Sequence, residues 1–182
     1  MNPFGILIDK YNSASLKKQR RYRTISATSL AVMVNAAVGS VATDPNSGWY
    51  KSINKPVIQP PAWLFPIVWT GLYIDIAYVV GQSLADLGER EGKGRKFTEL
   101  QESLGTNIAL NAGWSLLFFR GRAPLLATIE AAALAASTAD LVAKCRAVEA
   151  QRGNLLLPYV AWTSFATVLT GSIWWLNRNR KH

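Results

Sequence analysis

One cysteine and one histidine are all the chain offers to soft metals, and the histidine, His182, is its last residue. A lone Cys145 excludes an intrachain disulfide and a cysteine metal site. Without an internal histidine, a buried imidazole ligand for haem or zinc is excluded as well. No acid–base pair, nucleophile triad, phosphate-binding loop or metal-ligand spacing occurs, so ordinary hydrolase and transferase chemistry is set aside and no cofactor is expected. Acidic residues are scarce, 11 Asp and Glu against 20 Lys and Arg. Most telling is the absence of any charge from long stretches of the chain.

The net charge of +9 first suggests a nucleic-acid partner. Its distribution argues otherwise. Lys10, Lys17, Lys18, Arg20, Arg21 and Arg23 crowd in front of the first apolar run, and Arg90, Lys93, Arg95 and Lys96 share the segment Ala85–Glu102 with several acids. Basic residues at the ends of uncharged runs flank membrane spans and orient them. With 49% apolar residues and seven Trp, the composition indicates a membrane protein with no nucleic-acid partner.

The pattern predicts an all-α membrane protein, a five-transmembrane-helix bundle in one domain over 25–182, preceded by a basic polar segment over 1–24 that is mobile or lies on lipid. The predicted spans are Ile25–Thr43, Trp63–Leu84, Ser103–Phe119, Leu125–Val142 and Leu155–Leu176. Each is long enough for a hydrocarbon core of about 30 Å. The first also fits a cleavable signal peptide, with its basic flank and Ser40-Val41-Ala42, although its core is long for one. Asp44–Ala62 holds Pro45, Pro56, Pro60 and Pro61 and is predicted as a loop. Ala85–Glu102, with Gly88, Gly92 and Gly94 as breakers, and Gln151–Asn154 are read as further connections. Pro124 marks a helix start after the Arg120-Gly121-Arg122 turn.

Lys and Arg in the N-terminal segment, in Ala85–Glu102 and at Lys144, Arg146 and Arg152 outnumber those at Lys51, Lys55, Arg120, Arg122, Arg178, Arg180 and Lys181. The excess predicts an N-terminus inside and a C-terminus outside. Trp49, Tyr50, Trp63, Trp174 and Trp175 would then gather near the outer interface, where amphipathic rings settle. A bacterial envelope and a mitochondrial outer membrane both remain open.

Aromatic and amide residues recur at helical spacing. Asn107, Asn111, Trp114 and Phe118 fall on one face of the third span, Tyr159, Trp162, Ala166 and Thr170 on one face of the fifth, and Trp69 and Tyr73 are one turn apart on the second. These rings suit an apolar pocket beneath the proline-rich loop, with Asn111 supplying a directional hydrogen bond. Spacing alone fits ordinary helix packing equally well.

Longer motifs add to this reading. Trp49-Tyr50, Asn54-Lys55-Pro56, Pro60-Pro61, Trp63, Phe65-Pro66, Val68-Trp69-Thr70 and Leu72-Tyr73 follow one another in order. Leu110-Asn111, Trp114-Ser115, Phe118-Phe119, Pro158-Tyr159, Trp162, Phe165-Ala166 and Leu176-Asn177 complete a series that resembles the TspO/MBR (translocator) family over most of the chain. The resemblance implies a cavity lined at Tyr50, Pro60, Pro61, Trp69, Tyr73, Asn111, Trp114, Trp162 and Ala166. It implies porphyrin or haem-like, sterol-like or benzodiazepine-site ligands, and a homodimer. It also implies, as an alternative, an enzyme of light- or oxygen-dependent porphyrin breakdown in which Trp69 and Trp162 donate electrons to the excited ring. An oligomeric scaffold with a vestigial pocket is a third reading. One departure stands out: none of Val160–Ser164 is Lys or Arg, so the branched–Tyr–basic sterol pattern is missing after Tyr159.

Charges within spans are costly in lipid and should face the bundle interior. Asp140 can pair with Lys144 one turn on. Asp75 has no partner evident from sequence, and Glu130, acidic in many members of the family it resembles, is expected to hold a structural hydrogen bond. Ala127, Ala131, Ala135 and Ala139 repeat every fourth residue and permit close helix approach, within the chain or between two copies.

Overall fold

The computed structural model describes residues 3–179, with side chains for 12 and 14–179. The charges of Lys10, Arg180 and Lys181 and the histidine His182 therefore lie outside the described side chains. The described chain is helical. Five long helices, α1 (Pro3–Ala42), α3 (Leu64–Arg90), α4 (Arg95–Ser115), α5 (Pro124–Val148) and α7 (Leu157–Asn177), are joined by the short α2 (Gly48–Ser52) and α6 (Ala150–Asn154). Four stretches, Ala14–Ala42, Leu64–Arg90, Pro124–Val148 and Ala150–Asn177, are long and apolar enough to cross a membrane. α4 is long but its first turns carry Arg95, Lys96, Glu99 and Glu102, and its remainder holds Asn107 and Asn111. The expected five spans are thus met by four on length and composition.

The outside of the bundle is apolar. Ile74 is 66% exposed, and Met33, Val41, Ile67, Ile129 and Val168 also point outward. Water does not tolerate such a contiguous apolar belt, whereas acyl chains do. Polar side chains are turned inward instead: Asn35, Ser83, Asn107, Asn111, Thr138, Thr163 and Thr170 are all buried. The chain is an integral membrane protein by this inversion.

Helix ends differ from the sequence expectation where apolar residues continue past the charges. Leu84, Ala85 and Leu87 on one side and Phe97 and Leu100 on the other are buried, so α3 and α4 extend outward and leave a connection of only residues 91–94. Of the glycines expected to break this segment, Gly88 lies inside α3 and Gly92 alone takes a positive φ, +70°. Gln151–Asn154, expected as a turn, lies within α6. Glu149 caps it by accepting hydrogen bonds from the Gln151 and Arg152 amides at 2.9 and 2.7 Å. Gly153 is required there, because a Cβ would sit 2.5 Å from the Arg146 amide nitrogen.

α1 runs through residues 3–24 without a break. Thr28, Val32 and Asn35 of α1 are buried against the bundle, and Asn35 Nδ2 donates to Asn111 Oδ1 at 3.1 Å. At the end remote from α2, Arg21 donates to Asp86 at 2.7 Å and Arg152 lies 2.8 Å from the other Asp86 oxygen. Arg21 also reaches Glu89 and Gln82, so one carboxylate on α3 joins α1 to α6.

α4 ends in a π-helical turn over Leu116–Arg120, where the Gly121 amide donates five residues back to the Leu116 carbonyl at 2.8 Å. Pro124 then opens α5 at its first turn. The wider turn leaves no room at Gly121: a Cβ would meet the Leu117 carbonyl oxygen at 2.9 Å. Gly121→Ala is therefore expected to cost about 1–3 kcal/mol by forcing the turn open. A fall in thermal midpoint in detergent checks this; an unchanged midpoint means the turn relaxes freely.

Candidate functional site

Two apolar clusters fill the bundle and leave a space where they meet. One, built from Val32, Leu72, Ile76, Val80, Leu104, Leu141 and Tyr159, occupies the end remote from α2. The other, built from Ile53, Phe118, Ala127, Leu169 and Ile173, lies under the proline-rich loop. The cavity at their junction measures about 500 Å³, inside the range of small-molecule sites.

Of the residues singled out in the sequence, Tyr50, Trp69, Tyr73, Asn111, Trp114, Phe118, Trp162 and Ala166 line this one cavity. Pro60 and Pro61 do not; their neighbours Gln59 and Ala62 take that part of the wall. Asn107 and Tyr159 share helical faces with lining residues but sit deeper, both fully buried. The sequence reading missed the α1 wall of Ala36, Gly39, Ser40 and Thr43, although these small residues fall at i, i+3, i+4 and i+7. It also missed Phe65, Phe119 and Leu134.

Aromatic contacts make two walls. Trp69 stacks on Tyr73 at 5.4 Å and meets Tyr159 edge-on at 6.3 Å. Trp114 stacks almost parallel on Phe118 at 5.3 Å, while Phe119 lies against Tyr50 at 5.4 Å. Trp162 is fixed between Phe65 at 5.7 Å and Phe165 at 5.5 Å. Offset and edge contacts of this kind hold flat rings in place and present their faces to a guest.

Below these rings runs a buried polar thread. Asn111 Oδ1 accepts from Tyr73 Oη at 2.8 Å and from Asn35 Nδ2 at 3.1 Å, which uses both lone pairs. Asn111 Nδ2 points at Tyr159 Oη at 3.5 Å, and Tyr159 Oη donates to Asn107 Oδ1 at 2.9 Å. Asn107 Nδ2 donates in turn to Thr138 Oγ1 at 3.1 Å. α1, α3, α4, α5 and α7 all contribute, so the floor of the cavity is also the crossing point of the bundle. With its carbonyl occupied, Asn111 has hydrogen-bonding capacity left on its amide N–H.

The loop is a fastened roof. Asn54 and Asn177 exchange two hydrogen bonds of 2.9 Å, tying residue 54 to the end of α7. Lys55 Nζ donates to the Tyr50 carbonyl at 2.6 Å and lies 4.4 Å from the Tyr50 ring centroid. Ser47 caps α2 by accepting from the Tyr50 amide. Burial raises the Tyr50 phenol above its ordinary range, so it stays protonated beside the cavity.

The charges expected inside the bundle divide. Asp140 pairs with Lys144 at 2.6 Å as the spacing predicted, and Ser103 donates to the same carboxylate. Glu130 does not hold the structural hydrogen bond expected of it: both carboxylate oxygens are buried without a partner, beside Gly113. Ala127 and Ala131 are buried within the chain, so half of the alanine repeat already serves α5 packing in one copy.

A helical membrane protein with an aromatic-walled cavity under a fastened proline-rich loop is the class this geometry defines. Residues 27–176 match the family model described as TspO/MBR family. The chain is 32% identical over 151 residues to the tryptophan-rich protein TspO of Chlorobaculum tepidum, covering 81% of this chain and 91% of that one. It is 32% identical to the tryptophan-rich protein TspO of Archaeoglobus fulgidus, with 83% and 95% covered. It is 29% identical to the translocator protein of Ovis aries, with 73% and 77% covered. The chain belongs to the TspO/MBR family.

Proposed function

We propose that the chain is a membrane receptor or transport-type protein that holds a tetrapyrrole, or a similarly broad and flat lipophilic molecule, between its helices beneath the first long loop. The observation that carries this is the set of stacking faces, Trp69, Trp114 and Trp162, around a single apolar space of about 500 Å³. A flat conjugated ring gains from such faces and from burial of its apolar area, and no metal ligation is needed. On this reading α4 is the fifth crossing helix, its Asn107 and Asn111 satisfied by other helices. The Lys and Arg distribution favours an N-terminus inside and a C-terminus outside. Two copies assemble through small residues left on helix exteriors, such as Ala139.

The test is titration of purified protein with protoporphyrin, read by tryptophan quenching. Wild type is expected to saturate, and Trp162→Phe to bind about three- to thirtyfold more weakly through loss of indole area and contact with Phe65. No saturable binding by wild type, or equal affinity in both, rejects this site. A second reading, light-driven breakdown of the bound ring, is favoured by the presence of both Trp69 and Trp162 on the same wall set. Product analysis under illumination separates it from simple binding, because the Trp69→Phe, Trp162→Phe double variant should stop product formation only if the indoles donate electrons.

A further inference from the structure

Buried polar groups without partners are rare, and each one asks what satisfies it. Among the described residues these are Trp49 Nε1, Gln59 Oε1, both Glu130 oxygens and Arg152 Nη1. Arg152 has the Asp86 carboxylate 2.8 Å away as an ion pair. Neither Trp49 nor Glu130 lines the cavity; Gln59 does.

Several other polar groups of the wall are paired within the protein. Tyr73 donates to Asn111, Trp114 Nε1 to Thr170 at 3.4 Å, Thr70 to the Pro66 carbonyl at 2.7 Å and Thr43 to the Gly39 carbonyl at 2.8 Å. Gln59 stands apart. Its Nε2 faces the Pro60 carbonyl at 3.4 Å, which fixes the amide orientation, since the flipped form would set two oxygens against each other. The free atom is therefore an acceptor. It sits in the proline-rich roof, on a residue that lines the cavity.

We infer that Gln59 is a specificity-determining contact: its Oε1 accepts a hydrogen bond from an N–H or O–H on the rim of the ligand. The floor and roof then have opposite polarity. Asn111 offers a donor below, Gln59 an acceptor above, and the walls between are mostly apolar and aromatic. Among flat apolar molecules, the site selects those that carry a donor at that edge over isosteres that carry only an acceptor there. An orphaned acceptor facing another acceptor is the costly arrangement. This inference rests on the cavity being the ligand site.

The experiment uses two flat fluorescent probes, 1-hydroxypyrene and 1-methoxypyrene, titrated into the full chain in lipid nanodiscs against protein-free nanodiscs. Both can accept from Asn111; only the first can donate to Gln59. Wild type is expected to bind the hydroxyl probe about three- to tenfold more tightly. Gln59→Met should erase that preference, lowering the affinity for 1-hydroxypyrene to that for 1-methoxypyrene. Equal affinity of wild type for the two probes, an intact preference in Gln59→Met, or loss of both probes by Gln59→Met overturns the inference and leaves the cavity standing. Failure of wild type to bind either probe removes the cavity reading itself.

Discussion

Asn111→Ala is expected to damage the bundle and the site together, and to do so more than any single ring substitution. Alanine withdraws the carbonyl that accepts from both Tyr73 and Asn35, leaving the buried Asn35 amide and the half-buried Tyr73 hydroxyl without partners. In a soluble core each orphaned group costs about 1–3 kcal/mol. Interhelical hydrogen bonds in membranes average only about 0.6 kcal/mol, because the unfolded reference in lipid finds other partners. The smaller scale governs the isolated bonds, but here one atom serves two helices at once and its removal also opens a small void. A loss of about 2–3 kcal/mol is expected, read as a lower thermal midpoint in detergent. Binding should weaken further, about tenfold or more, because Tyr73 is freed to turn and the stacked Trp69–Tyr73 wall loosens. Tyr73→Phe supplies the control: it removes one of the two donors and should cost about 1 kcal/mol with the wall intact. Asn111→Ala matching Tyr73→Phe in both stability and affinity would show that Asn35 contributes nothing through this atom.

Much of this site can be read from residue order, and the reason is geometric. A helix converts spacing into a face, so Asn111, Trp114 and Phe118 had to point the same way, and they do. The α1 wall was equally regular but was overlooked, because Ala36, Gly39, Ser40 and Thr43 have no rings to draw attention and resemble generic span residues. Loop residues obey no such period. Pro60 and Pro61 stood out by composition, yet the wall is made by Gln59 and Ala62 beside them, since an irregular backbone sets side-chain direction locally. Helix ends were misjudged for a related reason. Charges near 85–102 resembled a loop, while the buried Leu87 and Phe97 on the inner faces carry both helices through them. The Asn54–Asn177 clasp joins residues more than a hundred positions apart, a pairing that no local pattern contains.

Asp86→Asn is the other substitution expected to act strongly, at the opposite end of the molecule. Its carboxylate lies between Arg21 at 2.7 Å and Arg152 at 2.8 Å, and its side chain is only 12% exposed. Breaking a fully buried ion pair costs about 3–5 kcal/mol, because a charge is left in low dielectric. Arg21 and Arg152 keep 31% and 18% of their side-chain surface in contact with solvent, which reduces that figure. Both guanidiniums lose their shared counter-charge at once, however, and Glu89 and Glu149 are at longer range, 3.2 and 3.6 Å. A net loss of about 2–3 kcal/mol is expected, with α1 and α6 loosening from α3 at this end. The substituted amide keeps the shape, so a lowered thermal midpoint reports charge and not packing. Raising salt from low to about 0.5 M should lower the wild-type midpoint toward that of the variant, because partly exposed pairs are screened. A variant as stable as wild type would mean that the two arginines are held by solvent and packing, with the carboxylate incidental. Ligand affinity is expected to change little, since the cavity lies at the other end, beneath the clasped loop; a large change would instead couple the two ends through α3, whose Trp69 and Asp86 lie on the same continuous helix.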